Sequence, residues 1–156
     1  MSQQNTLSPC VSVNTNQISG PMRIYPHPND TELCNSEVTR TEDVLNGIIG
    51  YRTKLFKPPY GFLYNELVGR LAEMQYLVID WSFDSLDWQE EAPEIITTRV
   101  LETVQPGGII LMHDGADRDG NRTPTIEALR QIIPELQRQG YQFVTVPELL
   151  NVPFVK

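Results

Sequence analysis

Four stretches of the chain repeat hydrophobic residues at three- and four-residue steps, and short apolar runs lie between them. Val38, Thr41, Leu45 and Ile48 share one helical face, with Ser36 able to cap that helix and Gly50 to end it. Leu63, Leu67, Leu71 and Met74 predict a second helix over 63–74. Ile96, Val100 and Val104 line a third, which Pro93 opens and Pro106-Gly107-Gly108 closes. A fourth begins at Thr123-Pro124, turns Ile126, Leu129, Ile133 and Leu136 inward, and ends at Gly140. The intervening runs read as strands: a short piece at 54–57, then 76–81, 109–112 and 141–146, with a last helical turn at 147–150.

A repeated helix-then-strand order implies parallel strands joined by helical crossovers, so the fold class is α/β with about four strands. In such folds chemistry collects in the loops beyond the C-terminal ends of the strands. Here those loops are 57–61, 82–88 and 113–122, where the polar residues concentrate. Residues 1–22 are rich in Ser, Asn, Gln and Thr; Val11 and Val13 alternate as a short strand would. Their composition instead predicts a disordered or non-family segment, with the domain running over 23–156.

Charge narrows the partners. Twelve Lys and Arg stand against twenty Asp and Glu, a formal net charge of −8. Nucleic-acid binding needs a dense basic face to displace phosphate counterions, and no such cluster exists, so no nucleic acid is expected. A neutral ligand suits this surface better. No apolar run reaches the length of a membrane span. Residues 1–20 lack the basic start and apolar stretch of a signal peptide. Cys10 and Cys34 form no CxxC; free thiols are the simpler reading, and one long-loop disulfide is the alternative.

Three loops hold candidate chemistry. His113 ends a predicted strand, which holds its ring firmly while exposing it to the loop cavity, as proton transfer requires. Asp84 and Asp87 lie three apart beside Trp81 and Trp88. Such carboxylates can orient a histidine, pair with a cation or bind a sugar, and an indole face can stack on a pyranose. In Phe56-Lys57-Pro58-Pro59-Tyr60-Gly61 the two prolines stiffen the backbone, so the Tyr60 amide could be offered to an oxyanion.

Lys57-Pro-Pro-Tyr-Gly61, Asp84-Ser-Leu-Asp87-Trp88 and Leu111-Met-His113 occur in this order at successive strand ends. Together with the flanks 104–115 and 139–146, this set resembles the polysaccharide deacetylase family, the NodB-like carbohydrate esterases, over roughly His27 to Leu150. The resemblance implies a distorted (β/α) barrel, here incomplete, and metal-dependent hydrolysis of N-acetyl groups on glycans such as chitin oligomers or peptidoglycan. It implies a divalent metal, zinc above all, held by one Asp and two His. Carried across by motif, His113 becomes the catalytic acid and Asp87 the residue that holds and tunes it. Leu111 lines the acetyl pocket, Trp88 walls the groove, Tyr60 offers its amide to the oxyanion, and Lys57 and Asp84 line the substrate site. His27 matches a metal ligand.

The chain also departs from the pattern. No Thr-Phe-Asp-Asp-like strand end occurs. Arg23 stands where the first metal-binding histidine belongs, and Lys57 replaces an arginine, losing its bidentate fork. A zinc site needs about three protein ligands, which His27 alone does not provide. The expectation is therefore an N-terminally shortened member of a hydrolase family, impaired in turnover and with metal binding in doubt. The alternatives are a non-catalytic glycan-binding pseudoenzyme or a fragment without independent function. Relatives commonly work outside the cytoplasm.

Overall fold

The structure is a computed structural model that describes residues 5–12, 31–58, 61, 63–89, 92–115 and 121–156, with the backbone alone over 5–12, 31–35 and at 37. The elements are β1 (Asn5–Ser12), α1 (Thr31–Ile49), β2 (Leu55–Phe56), α2 (Asn65–Glu73), β3 (Leu77–Val78), β4 (Phe83–Asp84), a 3-10 turn (Asp87–Gln89), α3 (Pro93–Thr103), β5 (Ile109–His113), α4 (Thr123–Arg138), β6 (Tyr141–Phe143) and α5 (Val146–Leu150). They fall into two compact units. One comprises Met1–Val13 and Trp81–Val152, the other Asn14–Asp80 and Pro153–Lys156.

The first unit is built on a four-stranded sheet in the order β4-β5-β1-β6. Every pair in it is parallel, as the helix-then-strand order requires. Its core joins α3, α4 and the sheet: Ile96, Val100, Val104, Ile110, Ala128, Ile132 and Leu136 are buried together. The second unit pairs β2 with β3 in parallel. Val38, Leu67, Leu71 and Tyr76 form its core. Lys156 lies 3.4 Å above the Tyr76 ring and 2.7 Å from buried Glu42, which also accepts from Arg52 at 2.7 Å. The α/β class holds, and among the described strands no closed barrel forms.

Several expectations need correction. Asn5–Ser12, expected in a disordered or non-family segment, forms β1 with partners on both sides. Its polar composition gives only a weak strand signal, so pairing with β5 and β6 decides its state. Pro9 lies opposite Ile110 in the register with β5, while pairing to β6 covers Asn5–Leu7 only. The inward stripe of α4 is Thr125, Ala128, Ile132 and Leu136, whereas Ile126 and Ile133 are exposed. Small Ala128 and Thr125 permit close helix approach where Ile126 would not.

The strand expected over 76–81 shortens to Leu77–Val78, because β2 offers only two residues to pair with. That expected over 141–146 ends at Phe143, because the Thr145 hydroxyl and amide both bond Glu148 (2.7 and 2.8 Å) and start α5 with a capping box. The sheets hold six strands among the described residues rather than four.

Candidate functional site

The first unit gathers Asp84, Asp87, Trp88, Leu111 and His113 around the C-terminal ends of β4 and β5. The register Asp84↔Leu111 sets the two strands side by side, and His113 follows two residues later as the last residue of β5. After β4 the chain turns sharply. Leu86 adopts a left-handed conformation (φ 56°), which a branched side chain enters only under constraint. Asp84 provides that constraint by accepting the Leu86 amide at 2.9 Å; its other oxygen accepts the Trp88 indole N–H at 3.3 Å. Both Asp84 oxygens are thus engaged locally, and the Trp88 ring is half exposed beside them.

The turn delivers Asp87 to a fully buried position. Its Oδ1 accepts from His113 Nδ1 at 2.7 Å and from the Ser85 hydroxyl at 3.1 Å. Its Oδ2 accepts from the His113 backbone N–H and from the Thr125 hydroxyl, both at 2.9 Å. Burial alone would raise the Asp87 pKa, since a charge is costly out of water. The bonds from the His113 ring and amide, the attraction of the imidazole and the Thr125 hydroxyl outweigh it, and the net shift is downward. An ionised carboxylate only accepts, so His113 Nδ1 carries a proton and Nε2 is the nitrogen left to give or take one. The side chain of His113 is 21% exposed and that of Asp87 is 0% exposed, so the ring bridges a buried anion and the solvent side. This geometry suits a proton donor whose orientation is fixed from behind.

Two arginines brace the turn. Arg99 Nη1 donates to the Ser85 carbonyl at 2.7 Å. Arg122 donates from Nε to Gly115 O at 2.9 Å and from Nη1 to Asp87 O at 3.0 Å, joining the loops after β4 and β5. Ser85, Arg99, Arg122 and Thr125 escaped the sequence reading.

Lys57 follows β2 in the second unit and precedes buried Pro58. Tyr60, Arg23 and His27 lie outside the described residues, as do the side chains of Cys10 and Cys34. Leu111 is buried, and its carbonyl accepts the Ser85 amide at 3.3 Å. Among the described residues no three His, Cys, Asp or Glu side chains converge to hold a metal ion. The described donor set therefore does not make the family's metal site, which needs about three ligands.

No protein-family model matches the chain. It is similar to a peptidoglycan-N-acetylglucosamine deacetylase of Bacillus cereus, 33% identical over 131 residues, covering 81% of this chain and 47% of that protein. It is similar in structure to a crystallised peptidoglycan N-acetylglucosamine deacetylase at a TM-score of 0.76 and 31% identity, covering 82% of this chain and 58% of the other. A carbohydrate esterase family 4 pseudoenzyme from Bacillus anthracis superposes at a TM-score of 0.69 and 28% identity, covering 77% of this chain and 40% of that one. A mutant of that pseudoenzyme has restored activity. The chain spans between about a quarter and two thirds of the length of the curated relatives it matches, and 47% of the Bacillus cereus protein. The motif order at the strand ends, the paired Asp87 and His113, and these likenesses agree that the chain belongs to the NodB-like polysaccharide deacetylase family, carbohydrate esterase family 4.

Proposed function

We propose that this chain is a deacetylase-family domain that binds an N-acetylated glycan of the peptidoglycan or chitin-oligomer type, and that its hydrolysis of the acetamide is impaired. The observation that carries the reading is the 2.7 Å bond between buried Asp87 and His113 at a strand end beside half-exposed Trp88. Trp88 would stack on a pyranose face, while His113, held by Asp87, would protonate the departing sugar amine from Nε2. By the family motifs, Leu111 would line the acetyl pocket and Lys57 and the Tyr60 amide would serve the substrate, in a fold of the family's distorted (β/α) type. The bond between Asp87 and His113 supports this proton-donating half of the reaction. Impairment is the reading that Arg23, in the place of a metal-binding histidine, supports.

The test incubates the full chain with an N-acetylglucosamine oligomer and zinc, and measures bound oligomer and released acetate. The expected result is binding that Trp88→Ala weakens about tenfold, with slow acetate release that His113→Ala removes. Rapid zinc-stimulated turnover would overturn the impairment. Absence of oligomer binding at millimolar concentration would overturn the glycan reading.

A second reading, a non-catalytic glycan-binding relative, is favoured by Arg23 and by the likeness to a pseudoenzyme. Retained binding with no acetate under any metal would select it.

A further inference from the structure

Asp87 sits on a 3-10 turn of three residues, entered through a left-handed Leu86. So short an element does not fix a carboxylate by itself; the donors around its oxygens do. Four bonds hold it among the described residues. Ser85 is two residues away on the same turn and moves with it. The His113 ring is the group being oriented, and its amide belongs to the same residue. The His113 amide, fixed in β5, shares Oδ2 with the Thr125 hydroxyl; among the described residues Thr125 brings the one donor from an element beyond the turn and β5, and it is buried at 4% exposure.

That element is rigidly seated. Three residues beyond Thr125, Ala128 begins the stripe that continues through Ile132 and Leu136, all with 1% exposure or less and packed into the sheet core. Arg122, at the same helix end, bonds the backbone of both site loops. The first turn of α4 is thus bolted to the core on one side and to the Asp87 turn on the other.

We propose that Thr125 is a positioning residue: its hydroxyl fixes Oδ2 of Asp87 so that Oδ1 meets His113 Nδ1, which keeps Nε2 free at the groove. The assignment rests on the reading of His113 as the proton donor for its use, but not for its geometry. Arg122 has a supporting part, since it prevents the two loops from separating under that bond.

The test reads the imidazole directly and needs no substrate. In histidine-¹⁵N-labelled full chain, with His113→Ala to assign the signals, wild type shows His113 in the Nδ1–H form. Thr125→Val keeps the shape but removes the hydroxyl, and the ratio of Nδ1–H to Nε2–H tautomer falls by about tenfold, the scale of one lost charge-assisted hydrogen bond. Thr125→Ser restores the donor and the wild-type ratio. An unchanged ratio in a folded Thr125→Val, or a Thr125→Ser as disturbed as the valine variant, would overturn the proposal. Wild type gives a check independent of any variant's folding. The Thr125 hydroxyl and the His113 amide share Oδ2, so their protons must cross-relax; absence of that signal also overturns it. Lack of acetate release would count against the proposed function and leave these signals unmoved.

Discussion

Replacing Asp87 by alanine removes the acceptor on which the site is organised. Four donors lose their partner: the His113 ring and amide, and the hydroxyls of Ser85 and Thr125. The hydroxyls can rotate and the imidazole can exchange tautomer, but the His113 amide is fixed in β5 and stays buried without a bond. An orphaned buried donor costs about 1–3 kcal/mol. With the lost carboxylate–imidazole bond and the small void, the total should reach about 3–5 kcal/mol, the scale of removing one partner of a buried pair. At this chain length that lowers Tm by roughly 6–20 °C.

Asp87→Asn should cost less, about 1–2 kcal/mol. Its carbonyl can still accept from the His113 amide and Thr125 while its NH₂ faces Nδ1, provided the ring adopts the other tautomer. Because the folded-state pKa of Asp87 is lowered, its stabilisation is fully present above the ordinary carboxylate value and is lost as pH falls through the lower folded value. The gap between wild type and Asp87→Ala must therefore narrow in acid. Thermal unfolding followed by far-UV circular dichroism from neutral to acid pH measures both effects. Near-equal melting at pH 7, or a gap that stays constant into acid, would refute the reasoning.

Two further predictions address the scaffold. Ile132→Ala should lose about 2–5 kcal/mol because Ile132 is almost wholly enclosed, whereas Ile126→Ala, half exposed on the same helix, should stay within about 0.5 kcal/mol; paired urea titrations decide which stripe faces the core. In the second unit, burial would raise the Glu42 pKa, but bonds from Lys156, Tyr76 and Arg52 prevail and lower it. Glu42→Gln should thus destabilise by about 1–3 kcal/mol at neutral pH, an effect that fades as pH falls through the folded Glu42 value, read from the same unfolding curves.

The site was partly legible because its polar residues stand at the ends of apolar runs. His113 closes Ile109-Ile-Leu-Met112, and Asp84 and Asp87 follow a strand by a few residues, so order along the chain implied closeness at the strand ends. Their braces were not legible. Arg122 and Thr125 reach Asp87 from 35 and 38 residues away, and nothing local in Arg122-Thr-Pro-Thr125 announces a carboxylate partner. The local work of Asp84 was not legible either: its oxygens hold the left-handed Leu86 turn and the Trp88 indole, which no pattern reveals.

By itself the sequence determined the helix and strand periods, the parallel arrangement that follows from their alternation, and the family motifs, because each depends on neighbours a few residues apart. Tertiary structure alone decided that Asn5–Ser12 becomes a sheet strand and that α4 turns Ala128 and Ile132 rather than Ile126 and Ile133 to the core. It also decided that one buried carboxylate would gather four donors from three places in the chain. Those outcomes depend on which surfaces meet. Strand pairing, close packing and the satisfaction of a buried charge act between residues that are distant in sequence, where no local period records them.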